Sequence, residues 1–384
     1  VITLSITRES LELIAKTGFI DGNRVKLLYK GTDSFDTIFS EIEKAEDIIC
    51  LQFYIFRNDE TGTELSDLLR KKAKEGVRVY ILYDHFGSLG TPSKFWNSLK
   101  KEGINVRASR PFKWKRLSDY PRRDHRKLII IDRKKAFTGG LNIANEYRGF
   151  HIRLKKEGWR DTGIMIEGPA ADELFRVFEK TWYIWGGERI ETGIFLPERF
   201  DDGLPVIPIF ASSARGRRRM RKLLYYSISN AKRTIHLTTA YFTPSRRMID
   251  SLEDAVRRGV DVRLLLPGKS DVPAAHYAGR AFFTRLLRRG VRIFNYQGDV
   301  LHAKSYVFDG YWSIVGSANL DFQSLRWNDE GNVGIIDEDF GREMMRVFEE
   351  DLKRSVEIRV EEWLRRPWNE KLKERFFALF RRRL

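Results

Sequence analysis

The sequence predicts an α/β protein made of two similar layered domains, and three observations carry that expectation. Its 384 residues, 42% hydrophobic and 13% aromatic, are enough to bury two ordinary cores. A pattern of glycine and branched residues in the first half recurs in the second. Within each half, helix-ending glycines precede short β-branched runs, the alternation that lays helices over a sheet.

Taken in order, the repeat opens with a pair of strands. Ala45, Ile49, Leu51 and Phe56 correspond to Ala231, Ile235, Leu237 and Phe242, each pair 186 positions apart (231 − 45). Gly76, Val77, Val79 and Leu82 then match Gly259, Val260, Val262 and Leu265, a helix-terminal glycine leading into a buried strand. Gly103-Ile104-x-Val106 and Gly290-Val291-x-Ile293 repeat that transition. The break between the halves falls near Gly186 to Pro208, where glycine, proline and acidic residues interrupt the periodicity after the Trp-rich helix ending at Trp185. This gives an N-terminal segment (1–24), a first domain (25–190), a second domain (205–360) and a basic amphipathic C-terminal helix (361–384).

Composition narrows the partners. Seventy Lys and Arg against 53 Asp and Glu give a formal net charge of +17, which points to polyanions such as nucleic acid or anionic lipid without choosing between them. The single cysteine, Cys50, excludes an intrachain disulfide framework and, among apolar neighbours, suits core packing in a reducing compartment. No stretch approaches the roughly 18–20 apolar residues of a spanning helix, and none resembles a signal peptide. The sequence opens on Val1 rather than Met, which leaves open a preceding segment, including an anchor.

The chemistry sits at the strongest element of the repeat. His125, Lys127 and Asp132 form an HxKxxxxD pattern, repeated by His302, Lys304 and Asp309 at an offset of 177 (302 − 125). Gly139-Gly140-x-Asn142 and Gly316-Ser317-x-Asn319 follow at the same distance. Residues two apart on a strand share a face, so each histidine is expected beside its lysine at the sheet's edge. A lone histidine of this kind is as often structural as chemical, but duplication in register removes most of that ambiguity. His85, His151, His236 and His276 have no such companions and read as structural.

These residues resemble the phospholipase D superfamily, whose two HxKxxxxD motifs form one active site between pseudo-symmetric domains. The flanking residues look like its bacterial cardiolipin synthase branch: RRDHRKLIIID at 122–132, GGLNIANEY at 139–147, WRDT at 159–162, AYFTP at 240–244, LHAKSYVFD at 301–309 and GSANLD at 316–321. The resemblance covers nearly the whole chain. It implies two α/β/α sandwich domains and a metal-independent phosphatidyltransferase without a cofactor, in which His125 attacks phosphorus and His302 serves as acid and then base. Lys127, Lys304, Asn142 and Asn319 would surround the nonbridging oxygens. Asp161 and Glu330 are the carboxylates that would orient the imidazoles. Asp132 and Asp309 complete the motifs and count with the catalytic set, although at strand ends they suit holding a loop, or the opposite half, better than touching phosphate.

Lipid is favoured over nucleic acid as substrate by position. From Pro367 onward, Trp368, Leu372, Phe376, Leu379, Phe380 and Leu384 stand among Lys371, Lys373, Arg375 and Arg381 to Arg383, a composition suited to headgroups, with a terminal core helix as the alternative. Pro111, Phe112, Trp114 and Tyr120 alternate with Lys113, Lys115, Arg116 and Arg122 just before His125, which fits a lipid interface or single-stranded nucleic acid. Arg215 to Lys222 forms a third basic cluster, unremarkable if it is a solvated helix face. The expected reaction joins two phosphatidylglycerols with release of glycerol, at the cytoplasmic face of the cell membrane and with no nucleic-acid partner. A phospholipase-type hydrolase or a phosphatidylserine-type synthase is the alternative, and a nuclease of the same superfamily is a more distant one.

Overall fold

A computed structural model describes residues 6–112, 122–149 and 158–382. The first part of the chain gives α1 (Arg8–Ala15), β1 (Ile20–Leu28), α2 (Gly31–Glu43), β2 (Ile48–Phe53), α3 (Glu60–Lys74), β3 (Arg78–Asp84), α4 (Ser93–Lys101), β4 (Asn105–Ser109), β5 (Leu128–Ile131), β6 (Lys135–Gly139), α5 (Asn145–Arg148), β7 (Gly163–Glu167) and α6 (Pro169–Ile184). The second gives β8 (Leu204–Ala211), α7 (Ala214–Asn230), β9 (Thr234–Thr239), α8 (Arg246–Arg257), β10 (Asp261–Pro267), α9 (Pro273–Arg280), α10 (Phe283–Arg288), β11 (Arg292–Tyr296), β12 (Lys304–Phe308), β13 (Trp312–Gly316), α11 (Phe322–Arg326), β14 (Glu330–Ile336) and α12 (Glu338–Lys353). Then follow β15 (Ser355–Glu357), α13 (Val360–Leu364) and α14 (Trp368–Leu379).

Strand order is β15-β11-β10-β9-β12-β13-β14-β8-β1-β7-β6-β5-β2-β3-β4. Leaving out β15, the order from β11 to β8 mirrors that from β4 to β1, so the duplication seen in the sequence is a duplication of topology. The repeated glycines do what their positions require. Gly76, Gly103, Gly259 and Gly290 all have φ between +84° and +93° at helix ends, a conformation costly for any residue with a Cβ. β2, with all six residues buried, runs parallel to β3 and antiparallel to β5, and its continuous apolar run reflects coverage on both faces.

The two halves share a core. α6 and α12 supply Leu174, Phe178, Phe340 and Met344 to one apolar cluster that also takes Ile130 and Ile164 from the first half and Val315 and Val333 from the second. Close Cα approaches set β13 and β14 against β6 and β7, so the sheet turns back on itself at the β8–β1 seam. The N-terminal segment belongs with the second half: Ile6, Leu11 and Phe19 pack in its core, and Arg8 pairs with Asp21 at 2.8 Å. The break expected near Gly186 to Pro208 ends earlier than the sequence suggests. Pro208 lies inside β8, opposite Val333, beyond the two residues of β8 that pair with β1, so its missing N–H costs no ladder bond on that side.

The C-terminal region is also corrected: it is two helices rather than one, with Pro367 capping the second. α14 docks on α9 through Glu374, which is buried and binds Arg280 and Arg366, and through Phe377 stacked on Tyr277. Trp368, Leu372, Phe376 and Leu379 project outward, each more than half exposed. Arg383 and Leu384 lie outside the described residues. So do Lys113, Trp114, Lys115, Arg116 and Tyr120 of the aromatic-basic loop, and His151. The basic cluster on α7 is not wholly solvated: Arg217 is buried against Asp329, and Arg221 donates to the Leu325 carbonyl. No helix among the described residues is long and apolar enough to cross a membrane.

Candidate active site

His125 and His302 sit in short segments just before β5 and β12, not within the strands, because those segments cross to the other half. Asp124 bridges Asp329, and Arg160 bridges Leu301. The His125 N–H donates to the Asp329 carbonyl at 2.9 Å, and the His302 N–H to the Arg160 carbonyl at 2.8 Å. Backbone bonding that would extend each strand is thus spent across the interface. Buried ion pairs add to it: Arg160 grips Asp351 and Arg110 reaches Asp329, whose other oxygen is held by Arg217 of its own half.

Each imidazole is held by a carboxylate from the opposite half. His302 Nδ1 lies 2.7 Å from Asp161 Oδ2, and His125 Nδ1 lies 3.2 Å from both Glu330 Oε2 and the Ser317 carbonyl. Both His125 partners are acceptors, so its proton belongs on Nδ1 and its Nε2 lone pair is left for chemistry; on His302, Asp161 likewise accepts from Nδ1. Gly140 gives Asp161 its room, since a Cβ there would stand 2.0 Å from Oδ1. That oxygen accepts the Thr162 N–H at 2.7 Å.

The lysines lie beside the histidines and are themselves buried. Lys127 Nζ donates to the His125 carbonyl at 2.6 Å, and Lys304 Nζ stands 2.6 and 2.9 Å from the two ring nitrogens of His302. Burial, then the Lys304 charge, brings His302 down to about 4. Burial and Lys127 lower His125 in the same direction. Burial also lowers the lysines, Lys127 to about 7 with help from Lys304, and Lys304 to about 8 against the pull of Asp161. Asp161 itself stays below the usual carboxylate range: burial raises it, but Lys304 and His302 outweigh that. The resting site therefore holds neutral imidazoles, an ionised Asp161 and lysines poised near neutrality.

The remaining sequence candidates divide. Asn142 and Asn319 border the same cavity as the histidines. Their Oδ1 atoms receive the N–H groups of Ile55 and Tyr241 at 3.0 and 3.3 Å, and Asn142 Nδ2 donates to the Tyr147 hydroxyl. Among the described residues nothing accepts from Asn319 Nδ2, so of the two amides this one is left to face a ligand. Asp132 and Asp309, counted with the catalytic set, take the loop-holding role that their strand-end positions suit. The Asp132 carboxylate accepts the N–H groups of Glu46, Asp47 and Ile48, and Asp309 accepts those of Lys232, Arg233 and Thr234. Both sit at the far ends of β5 and β12 with φ of 52° and 55°, where a short acid tying down a neighbouring loop is the favourable residue.

Both histidines open onto one cavity of about 570 Å³, within the range of small-molecule sites. Sequence reasoning passed over most of its wall. Tyr54 packs 4.9 Å from the His125 ring, while Tyr147, Trp159 and Tyr241 surround His302 at 5.3, 5.7 and 6.1 Å. Three of these four lie in the segments that carry the family resemblance, which was a usable signal. Arg57, paired with Glu146 at 3.1 Å, and Asp271 also line the cavity and fall outside any repeated motif.

Comparison with known proteins identifies the family. The family described as "Cardiolipin synthase, PLD-like domain" matches residues 38–182 and 224–352. A cardiolipin synthase of Geobacillus kaustophilus is 36% identical, covering 92% of this chain and 70% of its own. The major cardiolipin synthase of Bacillus subtilis is 35% identical, covering 93% and 74%. Among solved structures, a phosphatidylserine synthase of Haemophilus influenzae aligns over 98% of this chain and 100% of its own with a TM-score of 0.74 at 14% identity, which speaks to the fold alone. With a matching family on both halves and relatives above one-third identity over nine-tenths of its length, the chain belongs to the cardiolipin synthase branch of the phospholipase D superfamily.

Proposed function

We propose that this protein is a phosphatidyltransferase that makes cardiolipin from two phosphatidylglycerols, through a phosphohistidine. The observation that carries the reading is the reciprocal pairing: an imidazole from each half, oriented by a carboxylate of the other, on one cavity. His125 Nε2 attacks phosphorus and the P–O bond to the headgroup glycerol breaks, its oxygen taking a proton from His302. His302 then accepts the proton of a second phosphatidylglycerol's hydroxyl as that oxygen displaces His125, restoring both rings. The assignment of attack to His125 is supported by access: its side chain is 10% exposed against 4% for His302. Lys304 Nζ, 2.9 Å from His302 Nε2, would compete for that nitrogen in an attack on phosphorus, whereas the Lys127 ammonium donates to the His125 backbone carbonyl. The negative phosphodiester raises the proton affinity of both lysines and of His302, which prepares the acid only when substrate is present.

A membrane surface fits the exterior. The outward apolar stripe of α14 lies among Lys371, Lys373 and Arg375, and α14 rests on α9, whose Ala275 borders the cavity. Net charge of +17 suits the anionic cytoplasmic leaflet, where each Lys or Arg near the surface contributes about 1 kcal/mol. The test is mass spectrometry of phosphatidylglycerol vesicles incubated with the wild type and with His125→Ala and His302→Ala. Cardiolipin and glycerol in equal amounts are expected, with each variant losing about 10³-fold or more. Phosphatidic acid as the main product, or degradation of added DNA, would overturn the reading.

A further inference from the structure

The duplicated fold offers two equivalent walls to the cavity, and they are not alike. Ile55 and Tyr241 occupy matching positions, each giving its N–H to the asparagine of its own half. From the first half, Ile55, Arg57, Glu146 and Arg123 face the cavity, with Arg57 paired to Glu146 at 3.1 Å, so this wall carries two cations against one acid. From the second, Tyr241 donates its hydroxyl to Asp271 Oδ2 at 2.7 Å, and no cation among the described residues forms an ion pair with Asp271.

We infer that Tyr241 and Asp271 form the subsite for the hydroxyl groups of the acceptor headgroup, on the side of the cavity next to His302; this rests on the transferase reading above. With the phenol O–H engaged in its hydrogen bond to Asp271, the pair presents only acceptor oxygens. Burial, then the Asp271 charge, raises the Tyr241 hydroxyl well above its ordinary range, so it keeps that proton. A group facing the pair must therefore donate. A phosphodiester cannot, and a carboxylate that no cation pairs with directly repels it, whereas a glycerol headgroup brings two hydroxyls. The phosphates are drawn instead to the wall with Arg57 and Arg123. The Tyr241 ring meets His302 edge-on at 6.1 Å, so a hydroxyl held on Asp271 rests beside the base that must deprotonate it.

The experiment supplies phosphatidylglycerol vesicles with deuterated glycerol, ethanol or ethanolamine as competing acceptors and follows each phosphatidyl product for the wild type, Asp271→Asn and Tyr241→Phe. Asp271 is exposed and Tyr241→Phe keeps the ring, so both variants should fold. The expected result is that Asp271→Asn lowers glycerol transfer relative to ethanol transfer by about tenfold or more, the loss of a charge-assisted hydrogen bond, mainly through the KM for glycerol. Tyr241→Phe should shift the ratio the same way and less. Equal losses with glycerol and ethanol would mean that Asp271 acts only through the titration of His302, and the subsite would be refuted. A larger loss with ethanolamine than with glycerol would refute it in favour of an ammonium site. If the wild type forms neither cardiolipin nor any phosphatidyl alcohol, the transferase reading itself falls; a wild type that transfers while the variants keep its acceptor preference sinks the subsite alone.

Discussion

In the first half, the turn after β6 sets Gly140 against Asp161; in the second, the equivalent turn after β13 sets Ser317 against Glu330. The correspondence is geometric: the Gly140 N–H donates to the Thr162 carbonyl and the Ser317 N–H to the Gly331 carbonyl, each one residue past its acid. A short acid is matched with a residue that leaves space, and a long acid with one that fills it and donates to Oε2. The two solutions differ in firmness. Both Asp161 oxygens have donors, whereas Glu330 Oε1 is buried with no hydrogen-bond partner. His302 is accordingly gripped at 2.7 Å and His125 at 3.2 Å. A duplicated motif thus holds one imidazole more tightly than the other, an inequality that the proposed division between proton transfer and attack would use.

Changing the space in each turn should break this comparison most sharply. Gly140→Ala forces Asp161 away from His302, and a displacement of that order is expected to cost about 100-fold in kcat. Ser317→Ala removes a single donor from Glu330, so a loss of about three- to tenfold is expected. Initial rates of cardiolipin formation decide; if the two variants are equally impaired, the difference in firmness has no functional weight.

A second contrast separates the two ends of each motif. Asp132→Ala and Asp309→Ala each remove a carboxylate that ties down three backbone N–H groups, so a destabilisation of about 2 kcal/mol is expected in urea titrations. Among molecules that remain folded, turnover should hold near the wild-type value. Loss of turnover as deep as that of the histidine variants would return these aspartates to the chemistry.

The smallest effect is one of pH. His302, lowered to about 4 in the folded protein, favours the native state in its neutral form; that contribution is complete above the ordinary value of 6.5 and is lost as pH falls toward 4. His236 and His276, also brought down to about 4 by burial, add to the same window. The melting temperature should decline between those limits. His302→Asn should flatten the decline more than His125→Asn does, and the reverse order would contradict the ranking of the two rings.

Much of this was legible because it is duplicated. The HxKxxxxD repeat, the helix-ending glycines and the mirrored strands announce themselves twice. Asp161 and Glu330 were harder, since they follow Asn142 and Asn319 at unequal distances, the first half carrying an extra stretch between α5 and β7. Periodicity did not reveal that α1 packs on the far half, because a contact with distant partners leaves no local mark. It also placed the histidines on strands, where the structure spends their backbone bonds on the interface. Asp271 escaped because nothing matches it in the other half, and that lack of a counterpart is what gives the cavity its direction. Cys50, buried between strands with its thiol pushed up by burial, is the core residue its neighbours suggested.

The placement of α1 gives the molecule a clasp. The connection between the halves runs in the open, with Ile194 and Leu196 nearly fully exposed. Yet the chain's opening segment is already embedded beneath the later strands, and β1 is stitched to both sides of the seam. A nick in that connection is expected to leave two fragments that still interlock, held by interdigitation and not by the continuity of the polypeptide.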